Sequence, residues 1–285
     1  MANIRLIKGR IKSAKNISQI TKAMELVAAS KMRKAQAQAL SGKLYASKIY
    51  EMVLRLSSKV ELVTHPLLTK PRDLTGKRLV ILLSTNKGLC GGLNTNLFRY
   101  LISQYEGLTR NEYVVFGKKG VHFLVQSKAL VVADFSLSVP FSEGIQALTE
   151  LVTKEYLLHK YDGVDLVYNE FISALRQNPK KKTILPLTIS GAVPPEEDMK
   201  ETLVEPSYQE VFDELLPHYL ENQIRDAVLQ SEASEHSARM VAMRNATDNA
   251  DSLAGELTLV YNKARQEKIT YEITDMVTAR LAVEV

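Results

Sequence analysis

Residues 78–94 read RLVILLSTNKGLCGGLN, and this stretch decides the fold class. Arg78 to Ser84 is a short run rich in Val, Ile and Leu, the composition of a strand. Glycines at 88, 91 and 92 make a turn, and Leu93 to Tyr105 then carries helical spacing. Working outward, further strand-like runs stand at 113–116, 129–133, 164–168 and 183–189, with helical stretches at 121–126 and 145–159 between them. Strands alternating with helices predict parallel βαβ units, hence an α/β domain over 76–191 with a Rossmann-like, mainly parallel sheet. Ten of the 13 glycines fall inside that range, where such a domain needs its turns.

The turn sits where phosphates bind in α/β domains, after a strand and at a helix N-terminus. Its residues do not suit that use. A P-loop needs Lys followed by Ser or Thr directly after its last glycine, whereas Leu93-Asn94 stand there, and no GxGxxG occurs. The glycines are expected instead to let helix pack closely on strand. Cys90, the single cysteine, excludes an intramolecular disulfide and fits a reducing compartment; a packed structural role is expected of it. The five histidines, at 65, 122, 159, 218 and 236, show no ligand spacing, and Asp134 is expected to form a turn or cap. No catalytic residue, metal or cofactor is expected.

The flanks differ in kind. All nine prolines lie between Pro66 and Pro217, leaving 65 residues before and 68 after with none. A helix of 68 residues spans roughly 100 Å, about twice the diameter of a compact globule of this length. Two long terminal helices follow, over 1–59 and 208–285, with Ala192 to Ser207 an acidic, Pro-containing connector. In the first, Ile4, Ile7, Ile11 and Ala14 keep 3/4 spacing, and Ile17, Ile20, Met24 and Val27 repeat it after a slip in phase. In the second, one line runs Leu220, Ile224, Ala227, Ser231, Ser234, Ala238, Val241, Asn245, Asp248, Ser252. A second apolar line, Leu229, Ala233, Met240, Met243, Leu253, Leu257, Tyr261, runs beside it, so more than one face needs cover. Either the first line packs on the N-terminal arm and the second meets another protein, or this helix is the core of a larger bundle. Asn245 and Asp248 either set register or belong to a solvated stretch.

Charge is divided unevenly. Residues 1–59 carry 13 Lys+Arg against 2 Asp+Glu, and 218–285 carry 7 against 11. Two antiparallel arms that attract explain this, as does a basic arm for an acidic partner. Only Tyr45 and Tyr50 interleave with the basic residues of 1–59, which leaves base stacking by a nucleic-acid binder unsupported. No run approaches 18 apolar residues and the opening MANIRLIKGRIKSAK has no signal core, so any membrane association is expected to run through partners.

Three segments carry a resemblance that covers the chain from end to end. Ile20 to Lys34 (ITKAMELVAASKMRK), Gly88 to Asn94, and Ala238 to Ala250 (ARMVAMRNATDNA), completed by Leu259 to Gln266 (LVYNKARQ), closely resemble the gamma-subunit family of F-type ATP synthases, bacterial type. Lys87 stands where the family more often has Arg, and Tyr271 where Gln is common. The connector near Glu205 has no cysteine pair, so the thiol switch of the chloroplast type is not expected.

The resemblance implies a long antiparallel coiled coil of the two terminal helices with the α/β domain between them. It implies a central rotor shaft that couples transmembrane ion flow to ATP synthesis or hydrolysis in beta subunits, with no bond chemistry of its own. Partners would be the ring of alpha and beta subunits, the epsilon subunit and the membrane c-ring, with no nucleic acid. The location would be peripheral, on the cytoplasmic side of the plasma membrane. By the same resemblance Met24 and Arg239 lie where the shaft meets a mobile acidic loop of beta. Arg265, Gln266, Thr270 and Glu272 lie higher, among loops of the surrounding ring. Lys31, Arg33, Lys34 and Glu205 match the segments near the c-ring and epsilon.

Overall fold

Five strands form one sheet in the order β3-β2-β1-β4-β5: β1 Arg78–Leu83, β2 Glu112–Phe116, β3 Leu130–Asp134, β4 Gly163–Phe171 and β5 Gln177–Leu185. The structure, a computed structural model, describes residues 4–57, 59–60, 65–69, 71, 74–138, 140–188 and 204–283. Pairs β1·β2, β1·β4 and β2·β3 are parallel, and β4·β5 is antiparallel. Helices α2 Leu93–Gln104, α3 Lys118–Gln126 and α4 Ile145–Leu157 make the crossovers, between the long α1 Ile4–Ser57 and α5 Tyr208–Val283. Most of the expected connector, up to residue 203, lies outside the described residues.

The chain falls into two compact units, residues 29–238 and residues 1–28 with 239–285. The sheet unit therefore takes in the last half of α1 and the first part of α5. Alternation along each strand sorts its core. Leu79, Ile81, Leu83, Val114, Phe116, Val164 and Leu166 face one way, onto α4, Ile49 and Val53 of α1, and Phe212, Leu216 and Leu220 of α5. Val80, Leu82, Tyr113, Val115 and Val167 face the other, onto Leu97, Leu101 and Leu124 of α2 and α3. Strands covered on both faces are apolar throughout, which is why 78–84 reads as a solid run.

β5 departs from expectation. The strand begins at Gln177, six residues before Thr183, and returns antiparallel beside β4, so the sheet is parallel over four strands only. Gln177 to Lys182 is polar because the strand lies at the sheet edge, where Lys180 pairs with Glu170 at the surface. From α5, Ser234 Oγ donates to Asn169 O of β4 (3.0 Å) and Ser237 Oγ to Ala174 O of the β4–β5 turn (2.6 Å). The small line of α5 from Ser231 to Ser237 thus meets the backbone of the β4–β5 hairpin through Ser234 and Ser237.

In the other unit α1 and α5 pair antiparallel. Thr21 and Thr247 face each other with 2.7 Å between hydroxyl oxygens, both buried. Counting in opposite directions from that pair sets Ala14 against Ala254 and Ile7 against Tyr261. Ile7, Ala14, Ala28, Ala250 and Ala254 are buried and Tyr261 half-buried, as this register requires. Parallel counting would set Ile7 against Ala233, outside the unit.

Two seam expectations are corrected. Ile17, Ile20 and Val27 are 51%, 61% and 57% exposed. The heptad from Ile7 and Ala14 runs on through Thr21 and Ala28 with no slip, because the face of small and hydroxyl side chains lets two backbones approach and leaves no polar atom stranded. On α5, Asn245, Asp248 and Ser252 are exposed, and the buried positions are Met243, Thr247, Ala250 and Ala254. The line through Ser234 is buried by the sheet unit, whereas beyond residue 239 the covering element is α1, which takes a different set of residues. Past Ala264, which the register sets opposite Ile4, residues 265–280 of α5 are all exposed.

Candidate functional site

The β1–α2 turn lies at the carboxyl ends of the strands, beside the switch point where the chain crosses from the β3 side to the β4 side of β1. Its polar groups are turned on one another. Asn94 Nδ2 donates to Thr85 Oγ1 (2.8 Å) and to Cys90 Sγ (3.4 Å), and its Oδ1 accepts from Thr85 N (3.4 Å). Thr85 Oγ1 donates to Lys87 O (2.8 Å). Cys90 is buried under this clasp, a packing role. The crevice is also closed from the β2 side: Gly117 has φ +94°, and a Cβ there would stand 2.3 Å from Ser84 O. Ser84 Oγ donates towards Phe116 O (2.9 Å) and accepts from Gly120 N (2.8 Å). Asp134 Oδ1 accepts from Ser136 N (2.7 Å), a turn.

Sequence reasoning missed the main charged cluster. Asp165 of β4, fully buried, accepts from Arg78 Nε and Nη2 (both 2.7 Å), Thr183 Oγ1 (2.7 Å) and the Tyr105 hydroxyl (2.8 Å), with Lys181 Nζ 3.5 Å away. Burial alone would raise this carboxyl, but the bonds from Arg78 and Thr183 and the guanidinium charge outweigh it and hold it below its ordinary value. Burial, then the Asp165 charge, pushes the Tyr105 phenol upward. Every acceptor position is filled from within the fold, so the cluster joins β1, β4 and β5 and offers nothing to a substrate. Residues 87 apart in sequence left no local signal. Among the described residues no group of three or more His, Cys, Asp and Glu could hold a metal ion, and no helix is long and apolar enough to cross a membrane. An open groove between α4 and Pro217 is lined by Thr149, Glu150, Thr153, Lys154, Leu157 and Leu158, and the Thr149 hydroxyl is spent on Ile145 O (2.8 Å).

The surface of the coiled coil is the remaining candidate. Met24 and Arg239 both fall in that unit, each half-buried; the register sets Met24 opposite Arg244, about 8 Å along the axis from Arg239. Arg265, Gln266, Thr270 and Glu272 stand together on the exposed end of α5, where Thr270 Oγ1 donates to Gln266 O (3.0 Å) and Lys268 pairs with Glu272 (3.3 Å). Lys31, Arg33 and Lys34 are exposed on α1, and Glu205 is exposed just before α5. These four do not meet. Tyr50 stacks on Tyr219 (5.7 Å between centroids), which sets Lys31 level with Ala238, about 45 Å along α5 from its first residue. The exposed apolar face of Ile17, Ile20 and Val27 was legible only through the unbroken heptad beside it.

A family model described as ATP synthase matches residues 3–283. The ATP synthase gamma chain of Methylacidiphilum infernorum (isolate V4) is 41% identical over 297 residues, covering 99% of this chain and all of that one. That of Dehalococcoides mccartyi (strain CBDB1) is 40% identical over 291 residues with the same coverage. Among solved structures, a chain of the Euglena gracilis mitochondrial ATP synthase (OSCP/F1/c-ring, rotational state 3) superposes with a TM-score of 0.65 at 20% identity, over 98% of this chain and 94% of that one. At that identity the likeness speaks for the fold.

Proposed function

Because the chain belongs to the ATP synthase gamma-chain family, we propose that it turns as the central shaft of a membrane-associated ATP synthase and itself breaks no bonds. The observation that carries this reading is the long coiled coil with its apolar face outward: Ile17, Ile20 and Val27 are uncovered in the chain alone. A face of that kind suits a sleeve of other subunits, and alpha and beta are proposed as the sleeve. Met24 and Arg239 would meet the mobile acidic loop of beta, and Arg265, Gln266, Thr270 and Glu272 the loops above it.

Glu205 would lie at the foot, towards epsilon and the c-ring. Lys31, Arg33 and Lys34, proposed for the same partners, stand at the other end of the sheet unit and need a separate contact. Attachment to the membrane runs through these partners, on the cytoplasmic side. A turn whose Thr85 and Asn94 side chains are engaged with each other supports the absence of nucleotide chemistry in the sheet unit. The test is recovery of a tagged copy, expressed in its own cells, from membranes solubilised in mild detergent. Alpha, beta, epsilon and c subunits should accompany it with ATPase activity; recovery of the folded chain alone overturns the reading.

A further inference from the structure

Apolarity does not explain which face of α1 enters the coiled coil. Two lines one residue apart compete over the same turns. Ile17, Ile20, Met24 and Val27 are large and apolar, and all but the half-buried Met24 are exposed; Ser18, Thr21, Glu25 and Ala28 are small or polar, with Thr21 and Ala28 buried and Ser18 and Glu25 half-buried. Transfer of apolar surface from water favours the first line by the area of two isoleucines and a valine. A three-residue step after Ala14 would bring it into the seam, and helices absorb such steps by local overwinding. Something specific holds the second line in place.

The geometry points to the Thr21–Thr247 hydroxyl pair as the element that selects this face and so keeps the apolar line of α1 on the outside. The two oxygens are 2.7 Å apart. Each hydroxyl also reaches its own helix, Thr21 to Ile17 O (3.0 Å) and Ser18 O (3.1 Å), Thr247 to Met243 O (2.9 Å). Two protons therefore serve four acceptors, the three carbonyls and the hydroxyl across the seam: one hydroxyl donates across the seam while its partner donates to a carbonyl of its own turn, and no buried donor is left over. Rotating α1 to present Ile20 would set an isoleucine against Thr247 and remove the cross-seam bond. The flanking layers carry alanines, Ala14 and Ala28 on one helix, Ala250 and Ala254 on the other. Alanine tolerates either face, so the hydroxyl layer holds the directional information.

The test compares two disulfides in the full chain. Ser18→Cys with Ala250→Cys reports the observed face, since the register sets these positions opposite each other; Ile17→Cys with Ala250→Cys reports the alternative. Each pair is placed in Thr21→Ser/Thr247→Ser and in Thr21→Ala/Thr247→Ala backgrounds. Both backgrounds lose the methyl groups and only the first keeps the hydroxyl pair. Under mild oxidation the serine background should form the Ser18→Cys disulfide in preference, like the parent. The alanine background should shift the ratio towards the Ile17→Cys disulfide about three- to tenfold, the population change that one hydrogen bond is worth. Equal ratios in the two backgrounds, or loss of both disulfides together in the alanine background, would overturn the proposal.

Discussion

Asp165 of β4 receives its donors from two other strands and the end of a helix, and it is fully buried. Removing the carboxylate in Asp165→Ala leaves the Arg78 guanidinium without its forked partner, and a loss of about 3 kcal/mol is expected in urea denaturation. Replacing the pair together, Arg78→Met with Asp165→Leu, should recover most of that loss, because the cost lies in the stranded charge. Acid acts on the same carboxyl. Its native value lies below the ordinary 3.8, so the ionised form favours the folded state. That stabilisation is complete above about pH 4 and disappears as pH falls through the lower native value; the acid limb of a stability profile should flatten in Asp165→Asn. In the β1–α2 turn, Asn94→Ala frees Thr85 N and uncovers Cys90, and a cost of about 1–2 kcal/mol is expected. Titration calorimetry of the parent chain with Mg-ATP should give no binding heat at micromolar concentrations, and a clear isotherm there would refute the packing role of the turn.

The elements of the sheet were legible in the sequence because strands buried on both faces announce themselves as solid apolar runs. β1 and β2 lie within a residue of their expected bounds. The first half of β5 was hidden by its edge position, which permits Gln, Asn and three lysines in a strand. In α1 the helix itself was plain, but the face that packs was not: contact there rests on close approach and one hydroxyl pair, which hydrophobicity does not weigh. Placement of the proposed contact residues followed only as far as helix position allowed, and the 45 Å between Lys31 and the start of α5 came from the Tyr50–Tyr219 stack. Substitutions separate the two faces of α1 and its partner. Ala254→Leu overfills the seam and should cost about 1–3 kcal/mol, read by thermal melting with far-UV circular dichroism. Ile20→Ser, on the exposed side, should stay within about 0.5 kcal/mol in the same melts.

For the whole molecule, the exposed end of α5 is where fold and function separate most cleanly. Arg265 and Gln266 touch nothing that the isolated chain needs for stability, so Arg265→Ala/Gln266→Ala should melt like the parent. In the assembled complex, steady-state ATPase per assembled particle should fall by more than in either single variant, because the two residues share one cluster; parental ATPase in the double variant would remove both from the proposed contact. Residues 265–280 have a further property. Of the ten from Ile269 to Thr278, six are β-branched, and Thr270, Thr274 and Thr278 turn their hydroxyls back onto carbonyls one turn earlier. Each such side chain loses rotamer freedom in a helix, and a helical end with no packing partner is marginal in water. The amide protons of this stretch should therefore exchange with deuterium far faster than those around Thr247, and slow sharply once other subunits enclose them. Part of the free energy of assembly would then go into winding the last turns of the shaft, so that the tip becomes stiff only inside the machine it serves.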